Sequence, residues 1–264
     1  MSGCAESPAA ACFRPGTELP DPATSPAPDL ATALASGRVD EARRLIEADP
    51  GAAKRGELLA HAVAGCRVEG VALMLDAGAS PDGDGGGLPL TLALRAKDDA
   101  MARLLLKRGA SPNPRGAPIL PIRTVIGLND LARAQMLIAA GLDLEALERT
   151  GRRALHIALD QERFRIAAAL LDAGADPFAI DAGGANLGAA VVGPTTTDDP
   201  TELAAKQALA GRLRALGWPE PVPHDRQIAR MAIEGAWPPA GARGARPVPL
   251  EVLALIRERT KPPR

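Results

Sequence analysis

The sequence predicts an all-α repeat solenoid, built of stacked helix–turn–helix units joined by hairpin-like loops. Three observations predict it. Glycines close apolar helical runs at Gly78, Gly109, Gly141 and Gly174, separated by 31, 32 and 33 residues. Before each glycine stand two short helical patterns, which is how one supersecondary unit repeated along a chain looks in sequence. The composition is 46% apolar but only 2% aromatic, without tyrosine, so the core must come from Ala, Leu, Ile and Val. That suits close-packed small helices.

In chain order, residues 1–28 are rich in Pro, Ala, Ser and Thr and show no apolar period. Such a segment buries too little surface to offset its ordering entropy, and a disordered lead is expected. Asp29 can cap a helix over Leu30–Ser36, and Gly37 ends it. In the next helix, Val39–Glu47, Ala42, Leu45 and Ile46 fall at i, i+3 and i+4 and make one apolar stripe. The same sentence returns at Leu58–Asp82, Leu88–Asn113, Leu120–Glu145 and Gly151–Ala179. A sixth unit is interrupted by Val191–Thr201, either a long loop between its helices or the end of the array, before Glu202–Leu216 resumes as a helix. Residues 29–218 are therefore read as the array. In 219–264 the period is lost. Helices are expected from Asp225, and from Pro249 to Thr260 with Leu253 and Ile256 buried; both serve to cap the array or, second, to dock a partner.

These units resemble ankyrin repeats. The family pattern is T-P-L-H-x-A-A-x-x-G at the first helix and V-x-x-L-L-x-x-G-A-x-x-N at the second. Ala154-Leu155-His156-Ile157-Ala158 keeps the Leu-His-x-Ala part, and Leu105-Leu106-Lys107-Arg108-Gly109-Ala110-Ser111-Pro112-Asn113 matches the second-helix ending. Departures include Glu57-Leu58-Leu59-Ala60 in place of the Thr-Pro-Leu-His tetrad. The resemblance implies that His156 is structural, its imidazole bonded to neighbouring backbone.

A formal net charge of −1 points to no nucleic-acid partner. No apolar run reaches the roughly 18 residues of a membrane span. Cys4, Cys12 and Cys66 make no disulfide framework, which fits a reducing compartment and a cytoplasmic protein. Met1-Ser2-Gly3-Cys4 resembles the end of a lipoprotein cleavage box, which leaves an envelope lipoprotein as the alternative; a secreted effector is a further one. The Ala/Arg-rich, lysine-poor composition points to a bacterial coding sequence.

Enzyme signatures are absent, and no cofactor or metal is expected. Asp82-Gly83-Asp84-Gly85 has the look of a calcium loop, but Ala93 stands where the bidentate Glu is needed. His61 and Cys66 would need further ligands to hold a metal. What remains is a surface. The resemblance implies a concave side formed by first-helix ends and loop tips, where Asp84, Arg95, Arg123, Leu128, Arg149, Arg152, Asp160 and Gln161 stand. Leu128 is expected to be an exposed apolar anchor flanked by Arg123 and Arg95. The expectation is a monomeric, non-catalytic scaffold binding another protein.

Overall fold

The computed structural model describes residues 10–260, apart from Gly85, Pro118 and Arg149. Among the described residues it is helical throughout; Phe13 and Ala96 form an isolated antiparallel bridge. The chain divides into two compact units, Met1–Thr124 and Val125–Arg264, a boundary that falls within the fourth repeat.

In the first unit the helices come in pairs: α1 (Pro28–Ala35) with α2 (Val39–Ala48), α3 (Leu58–Ala64) with α4 (Val68–Asp76), and α5 (Leu88–Ala93) with α6 (Ala100–Lys107). First helices pack on first helices, α1 on α3 on α5, and second on second, α2 on α4 on α6. The central α3 is buried at all seven of its positions, which is why its LLAHAVA sequence carries no charged residue. Gly65 is needed where it is, because a Cβ there would strike the Leu34 carbonyl of the preceding unit.

Helix α7 (Pro121–Gly127) runs from the first unit into the second. The second unit continues with α8 (Leu131–Ala139), α9 (Ala154–Asp160), α10 (Phe164–Asp172), α11 (Leu187–Val192), α12 (Pro200–Leu216), α13 (Asp225–Ile233) and α14 (Leu250–Thr260). Here α8, α10 and α12 pack in a row, and α9 packs on α11. The interruption in the sixth unit is thus a loop between its two helices.

The second helices from α4 onwards end alike, whereas α2 runs into Asp49 without a left-handed glycine. Gly174 takes φ +99°, and the Ala175 N–H bonds the Leu170 carbonyl at 3.0 Å; Gly109, at φ +92°, does the same with Ala110 and Leu105 at 2.9 Å. Only glycine enters that left-handed bend at no steric cost. Four residues after Gly78 and four after Gly141 stands a carboxylate that serves the next repeat. Asp82 Oδ1 accepts from Ser111 N at 2.7 Å, and Glu145 Oε1 accepts from Asp176 N at 2.9 Å. The acidic look of residues 82–84 therefore includes a repeat-to-repeat hydrogen bond, not a set of calcium ligands.

Three expectations are corrected. Residues 10–28 of the lead pack on the fold, residues 1–9 lying outside the described residues: Phe13 is buried, Ser25 Oγ donates to Glu57, and Arg55 donates to the Pro26 carbonyl. A single aromatic anchor, a few hydrogen bonds and the Cys12–Cys66 disulfide achieve this without any apolar period. Cys12 and Cys66 form a disulfide with their Cα atoms 6.3 Å apart, although the cysteine count argued against one. The few aromatics are not marginal to the core. All five are buried, and in the second unit Phe178 stacks on Trp218 at 5.0 Å while Trp237 donates to the Phe178 carbonyl at 3.0 Å.

Residues 219–260 of the terminal region dock onto the second unit's loops. Arg246 binds the Gly174 carbonyl at 3.2 Å and pairs with Glu145 at 3.2 Å. In α14 the buried pair is Val252 and Ile256, with Leu253 only half-buried, one register step from the expected Leu253–Ile256 face. A Cβ on Gly151 would meet Leu255 and Val252, so α14 lies on the loop that opens the fifth repeat. Asp225, expected as a cap, is the first helical residue of α13 and accepts from Asn186 Nδ2 at 2.9 Å.

Candidate protein-interaction surface

The ends of the first helices set this surface. In the fifth repeat α9 ends at Asp160, and Glu162 follows in the left-handed region at φ +55°. Asn129 and Cys66 hold the corresponding place in the fourth and second repeats at φ +51° and +56°. It is the glycine position of the ankyrin pattern, and a side chain there carries a backbone cost of about 1–2 kcal/mol. Where such a cost is borne, the side chain deserves a reason. Glu162 has one: its carboxylate accepts from Thr196 N at 2.7 Å and Thr196 Oγ1 at 3.0 Å, which holds the inserted loop of the sixth repeat and keeps its pKa below the usual range. The reason for Cys66 is its disulfide to Cys12.

The sequence-derived residues divide by unit. In the first, Asp84 is exposed at a loop tip beside Gly56. Arg95 is half-buried and already engaged: Nε donates to Thr17 Oγ1 at 3.1 Å and Nη2 to the Gly16 carbonyl at 3.2 Å. Arg123 is half-buried. In the second unit Leu128 is half-buried too, so it is not the exposed anchor expected, because it follows directly on α7 and turns partly into the fold. Arg149 lies outside the described residues. Arg152 and Asp160 form an ion pair with each other, and Gln161 is half-buried at the end of α9, its N–H bonded to the Ile157 carbonyl at 3.2 Å.

Buried ionic groups beneath this surface fix it in place. Arg153, almost wholly buried, lies 2.7 Å from Glu145. His156 is buried as well, and its Nδ1 accepts from the Arg153 N–H at 3.1 Å, the backbone role that the resemblance implies. Desolvation pushes the His156 pKa down to about 4, so the ring is neutral and suited to accept. Asp176, whose carboxyl is pushed up by burial, accepts from Phe178 N at 2.8 Å and Arg246 N at 3.3 Å. His61 is buried and its pKa lowered by desolvation, and Cys66 is oxidised, which leaves no His–thiolate pair. Among the described residues no group of three His, Cys, Asp or Glu stands ready for a metal.

Two concave features lie elsewhere in the second unit. A groove of about 470 Å³ runs between α8, α10 and α12 over Leu131, Ile138 and Ala169. A cavity of about 640 Å³ between α13 and α14 is rimmed by Arg226, Arg230 and Arg259 over Ala229, Ile233 and Ile256. Neither contains a residue named from the sequence as a candidate contact.

What sequence reasoning missed is the segment around Phe13. Its carbonyl-and-amide pairing follows no side-chain pattern. The available signal was Cys66 standing at a glycine position, together with a second cysteine in the lead.

Helix pairs stacked first on first and second on second, with glycine-ended second helices, are an ankyrin-repeat fold. The comparisons agree on the fold. The crystal structure of the human ASB11 ankyrin repeat domain aligns with a TM-score of 0.54 over 91% of this chain and 100% of that chain, at 19% identity. The chicken (Gallus gallus) nuclear factor NF-kappa-B p105 subunit is 37% identical over 91 residues, which is 33% of this chain and 9% of that protein. The chain thus spans under a tenth of that relative's length. No protein-family model matches the chain. Among the described residues no helix is long and apolar enough to cross a membrane.

Proposed function

We propose that the chain is a non-catalytic protein-binding module that takes its partner at first-helix ends and loop tips. Ankyrin-repeat domains generally mediate protein–protein interaction. The observation that supports this most directly is a segment of the chain's own lead already seated there: residues 12–17 lie across the ends of α3 and α5, bridged at the buried Phe13 and turning from Arg14 to Thr17, with Arg14 N bonded to the Arg95 carbonyl at 3.0 Å. A surface that holds one such segment by backbone bonds and an aromatic side chain has the chemistry to hold another. In the second unit Arg152, Asp160 and Gln161 are the candidates, and their charges would set register and partner choice more than affinity.

The test is capture of interacting proteins on the intact chain against an Arg152→Ala, Asp160→Ala, Gln161→Ala triple variant of equal stability. A partner retained by the first and lost by the second supports the second-unit surface. Equal retention by both removes it. On location, the Cys12–Cys66 disulfide favours an oxidising compartment over the cytoplasm, which strengthens the envelope or secreted alternative. A bacterial source is the reading of the composition alone.

A further inference from the structure

Residues 12–17 cover positions that repeats use for contact. The positions four and five residues beyond the first-helix histidine place of the ankyrin pattern are Arg95 and Ala96 in the third repeat, and six beyond it in the second repeat is Cys66. All three are occupied from the lead. Phe13 bridges Ala96, the Lys97 N–H donates to the Cys12 carbonyl at 2.8 Å, and Arg95 is held by Gly16 and Thr17. Phe13 retains 4% exposure and Ala96 none. The covalent tie is the disulfide, and both of its cysteines are only half-buried, so solution thiols reach it.

We propose that residues 12–17 are a tethered occupant of this surface, which accepts an aromatic-bearing peptide segment of a partner once the Cys12–Cys66 disulfide is reduced. The partner part of this rests on the protein-binding reading; the contact within the chain does not. The buried Phe13 site selects an aromatic side chain on backbone that is extended at that residue, and the Arg95 guanidinium selects carbonyl or hydroxyl acceptors three or four residues beyond it, after a turn. Reduction is by a dithiol. One of its thiolates attacks a sulfur of the disulfide, forming a mixed disulfide and expelling the other cysteine as a thiolate. The second dithiol sulfur then attacks the mixed disulfide and frees the remaining cysteine. Two electrons and two protons pass to Cys12 and Cys66, and the dithiol becomes a disulfide. Reduction lowers the local concentration of the occupant, because it is then joined only through the chain that follows it.

The test uses the full wild-type chain, oxidised and after dithiothreitol, in two measurements. Hydrogen exchange is read at residues 12–17 and 95–97, with 154–172 as the internal reference. A fluorescent peptide of sequence 10–20 carrying Cys12→Ser is titrated into both forms, alongside the same peptide carrying Phe13→Ala. The expected result is faster exchange at 12–17 and 95–97 alone on reduction, and peptide binding at least about tenfold tighter to the reduced chain, lost with Phe13→Ala. Unchanged exchange on reduction overturns the proposal, since the segment is then a fixed part of the fold. Faster exchange without peptide binding, or binding indifferent to Phe13, overturns it as well, since the surface is then no peptide site. Neither outcome touches the second-unit surface, whose triple variant is read separately.

Discussion

Leu170→Ala tests the repeat register at its most demanding point. Leu170 has no exposed surface, and α10 packs against α8, α9 and α12, so the lost side chain leaves a cavity that three helices would have to move to fill. Deleting a fully buried leucine costs about 2–5 kcal/mol, and the upper half of that range is expected where collapse is opposed on several sides. The neighbouring Leu171 is half-buried, and its truncation should cost about 1 kcal/mol. Both tryptophans, Trp218 and Trp237, are buried in the second unit, so their fluorescence reports its unfolding in urea without interference from the first. With a urea slope of about 2 kcal/mol per molar, Leu170→Ala should lower the midpoint by about 1.8–2.5 M, and Leu171→Ala by about 0.5 M. A Leu170→Ala loss below about 0.5 kcal/mol, the range of surface changes, or a larger loss for Leu171, would refute the register.

His156 predicts a pH dependence. Its folded pKa, about 4, is depressed below the ordinary histidine value of about 6.5, so the unfolded chain binds the proton more readily. Its contribution is therefore fully present above pH 6.5 and is lost as pH falls towards 4, by up to about 3 kcal/mol; His156→Gln should flatten that part of a stability–pH curve. Glu202, without exposed surface, accepts from Arg165 N and Nε at 2.9 Å each. Glu202→Ala strands that N–H and should cost about 2–3 kcal/mol in the same urea titration, whereas an unchanged midpoint would mean that water replaces the carboxylate at no cost.

The parts of the fold that were legible in the sequence are those fixed by period and by backbone sterics. Leu105 and Leu170 are fully buried, while Leu106 and Leu171 are half-buried, and the same i to i+1 contrast recurs because the repeat sets both. The closing glycines were legible because a left-handed bend admits few residues. The interactions that cross between segments far apart in the chain were not. Asp82 to Ser111 and Glu145 to Asp176 are single carboxylate-to-amide bonds, and an acidic residue in a loop carries no mark of its partner. For α14, a helix with apolar residues at Leu250, Val252, Leu253, Leu255 and Ile256 offers more than one buried face, and only the Gly151 loop it meets decides between them. At the candidate surface, Asp160 is exposed and Arg152 half-buried, and that the two neutralise one another depends on a loop conformation that no spacing encodes.

The energetics of the lead explain why its order could not be read from composition, and why the disulfide decides it. Burying Phe13 contributes about 2–3 kcal/mol. The four bonds that Arg95, Lys97 and Arg14 make with the segment contribute about 1 kcal/mol each. Fixing the six residues from Cys12 to Thr17 costs about 1–2 kcal/mol apiece. The balance without a covalent tie is thus close to zero or unfavourable, which is the composition argument for disorder restated with this segment's own contacts. A disulfide spanning 54 residues of sequence removes about 4 kcal/mol of unfolded-chain entropy on the loop-closure account. That exceeds any surplus the contacts leave. The segment is held because Cys66 takes a left-handed position where glycine would be easier, and the same arithmetic leaves it poised to come away when the bond is reduced.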